Sequence, residues 1–136
     1  MDAVADYRTA SEANDIDALV GTLAPDVELV SPLSGHMVFR GRDDVRVLLG
    51  AVYGCVSALR WREEIGAGAA RAVAGDCRIA GLRLGDAMML ELGTDGRITR
   101  IRPHLRPWLS LSVFALVVAP RLLAHPGVLW RALRAG

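Results

Sequence analysis

Three side chains are spaced so that they could supply acid, base or hydrogen-bond chemistry to a pocket: Tyr7, His36 and Asp86. Tyr7 shares helical spacing with Val4, Ala10 and Ala13, so its phenol is turned inward, where it needs a partner and could donate to a ligand oxygen. A bond to a helix carbonyl would satisfy it equally well. His36 follows the turn-rich stretch Ser31 to Gly35 and could act as a base near neutral pH, or simply stand in solvent. Asp86 alternates with Met88 on one strand face; among apolar neighbours its carboxyl would hold a proton to higher pH and serve as an acid. Its neighbour Gly85 also allows a solvated strand end. Cys55 and Cys77 are isolated, without a C-x-x-C pair, so they are expected to be reduced thiols, and neither a metal nor a cofactor is expected.

The clearest strand is GRITRIRPHLRPW, Gly96 to Trp108. Alternation puts Thr99, Ile101, Pro103 and Leu105 on one face and Arg100, Arg102, His104 and Arg106 on the other. Pro103 has no ladder donor, so a bulge is expected there.

Elements that would position these residues follow from periodicity. Helices are expected over Asp2 to Ala13, from the Asp15 cap through Leu23, and over Asp43 to Tyr53. Ala24-Pro25-Asp26 is expected to turn the chain into a strand from Val27 to Val30, paired with Met37 to Arg40. From Ser57 the pattern becomes extended, with Leu59, Trp61, Glu63 and Ile65 on one face, and further strands run over Ala69 to Ile79 and Leu82 to Leu92. Leu109 to Ala119 and Arg121 to Leu133 look helical, with Pro120 and Pro126 as breaks. Helices followed by consecutive hairpin strands make an α+β domain.

Composition narrows the function. The 136 residues suit a single domain, and their net charge of +1, with every basic residue an arginine, creates no field for nucleic acid. The opening MDAVADYR is acidic and lacks an apolar run, so a cytoplasmic location is expected. Leu109 to Ala119 is shorter than the roughly 20 residues that span a membrane. A membrane partner is not expected, and the apolar segment Trp108 to Leu133 is expected to be buried internally as a lid or dimer contact; an interfacial membrane anchor is the rival reading, with few flanking cations before Arg121 to support it.

Three segments in this order, DYRTASEANDIDALVGTLAPDVELVSP, GRDDVRVLLGAV and LELGTDGRITRIRPHLRP, resemble the nuclear transport factor 2-like superfamily and, within it, the SnoaL-like branch. The resemblance covers residues 1–108, leaving 109–136 as a helical extension packed on the same domain. It implies a cone: a strongly curved antiparallel sheet wrapped around N-terminal helices, with a pocket inside and a homodimer across the sheet's outer face. It also implies that Tyr7 matches the oxyanion donor of ketosteroid isomerases, while Ser31 stands where their base lies and Met88 where their sheet acid lies. A serine cannot take and return a carbon-bound proton as a carboxylate does. The acids of the epoxide hydrolases and cyclases fall on Met88 and near Pro103, so those carboxylates are missing too.

The pocket wall that the resemblance implies includes Tyr7, Ser31, Met88, Leu90, Ile101, Pro103 and Leu105, with Tyr53 and Trp61 as core or pocket-mouth aromatics. The expected function is binding of a small hydrophobic metabolite. The alternatives are an isomerase, cyclase or epoxide hydrolase acting on a polyketide- or terpenoid-like substrate through Tyr7, His36 and Asp86, or a dimeric interaction module.

Overall fold

The computed structural model describes residues 2–34 and 36–135; Met1, Gly35 and Gly136 lie outside them. Two short helices open the chain, α1 (Ala3–Glu12) and α2 (Ile16–Val20). Each is capped by an aspartate: Asp2 accepts from the Ala5 amide and Asp15 from the Ala18 amide, both at 3.1 Å. Strands β1 (Leu23–Val30) and β2 (Val38–Arg40) precede the long helix α3 (Arg42–Cys55). The sheet continues through β3 (Ser57–Ala67), β4 (Ala70–Ile79), β5 (Leu82–Leu92) and β6 (Ile98–Arg106), and α4 (Trp108–Leu123) and α5 (Pro126–Ala135) close the chain.

All six strands form one sheet in the order β2-β1-β6-β5-β4-β3. The sheet is mixed, because β1 runs parallel to β6. Hairpin turns fix the antiparallel direction of β3 to β6, but β1 and β6 are joined through several intervening elements, and no tight turn constrains them. Strand β1 also begins earlier than expected. It runs through Ala24-Pro25-Asp26, and its pairing with β6 is irregular between Leu23 and Glu28, where Pro25 can donate no hydrogen bond.

The alternation expected for β3 holds only for half its length. Leu59 and Trp61 are buried, whereas Glu63 and Ile65 are exposed beyond a register shift between Trp61 and Glu63. Such a bulge bends the strand away from the core. Trp61 also ties the sheet to α1: its indole N–H donates to the Ser11 hydroxyl at 2.8 Å, and its amide donates to Glu12 Oε2 at 2.8 Å. Trp61→Phe should therefore cost about 1–2 kcal/mol, measurable as a lower urea midpoint, because a buried hydroxyl loses its donor.

The C-terminal segment departs most from expectation. α4 passes through Pro120 to Leu123, and the Leu116 carbonyl that the proline leaves unbonded lies on the exposed side of the helix. Pro126 starts α5 instead of breaking a helix, since a first-turn position needs no amide donor. Burial is one-sided: Phe114, Val118 and Val128 are inside, whereas Trp108, Leu109, Leu116, Leu123, Trp130 and Leu133 are exposed. The core itself spans α1, α3 and the inner face of the sheet, around Tyr7, Phe39, Ile79, Leu90 and Ile101.

Candidate functional site

The inner face of β5 and β6 presents a row of cross-strand pairs: Leu90 with Ile101, Met88 with Pro103, and Asp86 with Leu105. The first pair is packed solid among core residues. The other two border a cavity of about 240 Å³, lined on its other sides by α3, α4 and the loop after β1. Its walls are almost wholly apolar, from Leu29, Leu48, Phe114, Val118 and Leu122 among others, and the polar exceptions are Tyr7, Ser31, Tyr53, Cys77 and Asp86.

The polar groups divide by what already occupies them. Ser31 Oγ accepts from the Leu33 amide at 3.1 Å, so this hydroxyl holds the loop. The Tyr7 and Tyr53 hydroxyls are 2.8 Å apart and hydrogen-bonded, and Tyr7 Oη lies 3.9 Å from Met88 Sδ as a weak donor. The pair has two protons: one lies between its oxygens, and the other is engaged only by the weak contact with Met88 Sδ, so a ligand oxygen could take it instead. Burial pushes both phenols well above their ordinary pKa, so both stay protonated.

Asp86 is different. Its Oδ1 is buried with no hydrogen-bond partner among the described residues, and burial raises its pKa from 3.8 to about 7. The residue as a whole is only half-buried, because its other side borders a surface crevice along β4 to β6. Its Oδ1 is the enclosed carboxyl oxygen, and that is the atom that faces a partnerless, apolar surrounding. The charge of Asp86 adds to the upward shifts of Tyr7, Tyr53 and Cys77, the last to about 12, so these groups sense one another electrostatically. Among the described residues lining the cavity Asp86 is the one acid, and none forms a cluster able to hold a metal ion.

Of the residues singled out in the sequence, Tyr7, Ser31, Tyr53, Asp86, Met88, Pro103 and Leu105 line the cavity. Leu90, Ile101 and Trp61 do not, since they fill the core deeper along the same faces. His36 is exposed outside the cavity, its amide held by Ser34 Oγ at 3.2 Å. Arg100, Arg102, His104 and Arg106 alternate away from the inward row of β6, as expected. Pro103 causes no bulge: it lies past Leu29–Ile101, the last β1–β6 pair, where one edge of β6 is free and a missing N–H leaves no gap. The wall contributed by α4 agrees with the lid expected of the C-terminal segment, whereas the Tyr7–Tyr53 bond was not foreseen. Helical periodicity turned both tyrosines inward, but nothing in their spacing brings residues 46 positions apart together.

No family profile matches the chain, and no curated protein matches its sequence. Solved structures do match. An uncharacterized protein with a cystatin-like fold from Silicibacter pomeroyi superposes with a TM-score of 0.88 at 23% identity, covering 96% of this chain and 93% of the other. A steroid delta-isomerase from Pseudomonas aeruginosa gives 0.82 at 20% identity, covering 92% of both chains. A Sinorhizobium meliloti protein provisionally named a polyketide cyclase gives 0.65 at 25% identity, covering 76% of this chain and 94% of the other. In fold the chain is similar to all three, and to a nuclear transport factor 2-like protein of unknown function from Cytophaga hutchinsonii.

Proposed function

We propose that the chain binds a small, mostly apolar molecule carrying one hydroxyl or carbonyl oxygen, and that this oxygen sits against Tyr7, Tyr53 and Asp86. The observation that carries this reading is the buried, unpartnered Oδ1 of Asp86 beside a tyrosine pair with a proton to spare. A buried polar atom without a partner is costly, and a ligand oxygen would relieve that cost. The apolar walls supply the affinity, and the three polar groups orient the ligand. A homodimer across the outer face of the sheet accompanies this reading, supported by the exposed Ile65 and Met89 and by the unpartnered Nε atoms of Arg100 and Arg102 there.

Naphthol and naphthalene, matched in shape and differing by one hydroxyl, test the proposal by calorimetry. Naphthol should bind about tenfold more tightly, the worth of one buried hydrogen bond, and Tyr53→Phe should erase that margin while leaving naphthalene binding unchanged. Binding of neither compound, or a margin that survives in both Tyr53→Phe and Asp86→Asn, would refute it.

A second reading is proton transfer, and Asp86 supports it specifically. A carboxyl titrating near 7 is suited to take and return a proton at neutral pH, and the tyrosine pair could stabilise a developing oxyanion. This favours an isomerase-type reaction over epoxide hydrolysis, which needs a second carboxylate to flank the water. Exchange of the α-protons of tetralone in deuterated buffer would follow Asp86 and vanish in Asp86→Asn.

A further inference from the structure

Helix α4 leaves one side uncovered. Trp108, Leu109, Ser112, Leu116, Ala119 and Leu123 fall within about 100° of one another around the axis of an α-helix, and all six are exposed. Trp108 and Leu116 are each 75% exposed and Leu123 66%, although the opposite side of the helix buries Phe114 and Val118. The stripe runs the length of the helix, about 24 Å, and carries no charge. Across the bend, α5 adds exposed Trp130 and Leu133, one helical turn apart.

The charges around this surface have one sign. No acidic residue occurs after Asp95. On α5, Arg131 is held by Asp44 at 2.8 Å, whereas Arg134 has no carboxylate partner among the described residues and lies 5.8 Å over the exposed Trp130 ring; Arg121 falls on the other side of α4, towards Gly54 of α3. An uncharged apolar stripe, tryptophans on both helices, an unopposed arginine beside Trp130 and no acid on either helix form the surface that settles into the headgroup layer of an anionic membrane. A second copy of the chain fits less well, because a like face offers no acid to meet Arg134.

We propose that α4 and α5 dock the protein on an anionic phospholipid surface. The expectation of internal burial holds for the side of α4 that lines the cavity and not for the side that carries the stripe. No single helix among the described residues is long and apolar enough to cross a membrane, and α4 and α5 meet at 115°, so the proposed contact is in the plane of the surface. Leu123 belongs both to the stripe and to the cavity wall, and the exposed Leu33 also borders the cavity. A ligand would therefore pass from lipid to cavity over a continuous apolar surface. That consequence rests on the binding function proposed above; the docking itself does not.

The test uses the full chain, without ligand, and vesicles of phosphatidylcholine alone or mixed with phosphatidylglycerol. Sedimentation should find the protein on the mixed vesicles, with less bound as salt is raised, and tryptophan emission should shift to the blue as Trp108 and Trp130 leave water. Leu116→Glu should weaken binding at least about tenfold while leaving the melting temperature unchanged, because that side chain does not pack in the core. Absence of wild-type protein from the mixed vesicles, or equal binding by Leu116→Glu, would overturn the proposal. So would a stable dimer that Leu116→Glu dissociates without any vesicle binding, since a second copy would then be what covers the stripe. Vesicle binding together with failure to bind naphthol would leave docking standing and remove the ligand reading.

Discussion

Stability should fall on the order of 4 kcal/mol as pH rises from about 4 to about 7, and Asp86→Asn should remove that dependence. In the unfolded chain a free aspartate titrates near 3.9. In the folded chain burial holds the Asp86 proton to about 7. Between these values the folded state binds a proton that the unfolded state has released, so each unit of pH lowers stability by about 1.4 kcal/mol. The contribution is complete below the unfolded value and gone above the folded one. Asp76 titrates in a different window, because its hydrogen bond to Arg62 lowers its pKa and any loss it causes comes at more acidic pH. Urea midpoints from pH 4 to 8 measure the effect. A flat wild-type profile would mean that the Asp86 carboxyl reaches water, and both readings of the cavity would lose their polar end.

Gly75→Ala should destabilise the fold by about 3–5 kcal/mol, through a backbone clash that no side-chain movement relieves. Gly75 faces Trp61 on one neighbouring strand and Asp86 on the other. A β-carbon there would stand 2.2 Å from the Arg60 carbonyl oxygen and 2.9 Å from the Trp61 α-carbon. Both are backbone atoms at the bulge that bends β3, so relief requires moving the strand and, with it, the Trp61 anchor on α1. Gly50→Ala is the contrast: it sits within α3 with nothing near its missing β-carbon, and the change should stabilise by about 0.5–1 kcal/mol. Thermal denaturation of both variants separates the close approach from a general intolerance of side chains.

Much of the architecture was legible because it depends on local periodicity. The stripes of α1 and α3, the Asp15 cap, and the alternation that puts Asp86 with Met88 and Pro103 with Leu105 are properties of short windows. The resemblance to the nuclear transport factor 2-like proteins supplied the cone that turns those rows inward, and the structural neighbours have the same fold. Illegible features shared a different character. A proline forecast turns at Pro25 and Pro120, yet β1 and α4 continue through both, because a missing amide matters only where a partner waits for it. Carrying family positions across directed attention to Ser31, Met88 and Pro103 as absences, while the carboxyl that does face the cavity lies two residues from Met88.

The sequence by itself determined which residues turn inward on each element, since a period of 3.6 or 2 sorts side chains without knowledge of the partner. Only the tertiary structure decided what they meet. It set Tyr7 against Tyr53, opened the cavity at the Met88–Pro103 pair and not at Leu90–Ile101, and ran β1 parallel to β6. It also covered one side of α4 and left the other bare. Those outcomes depend on contacts between segments far apart in the chain, and residue spacing carries no measure of that distance in space.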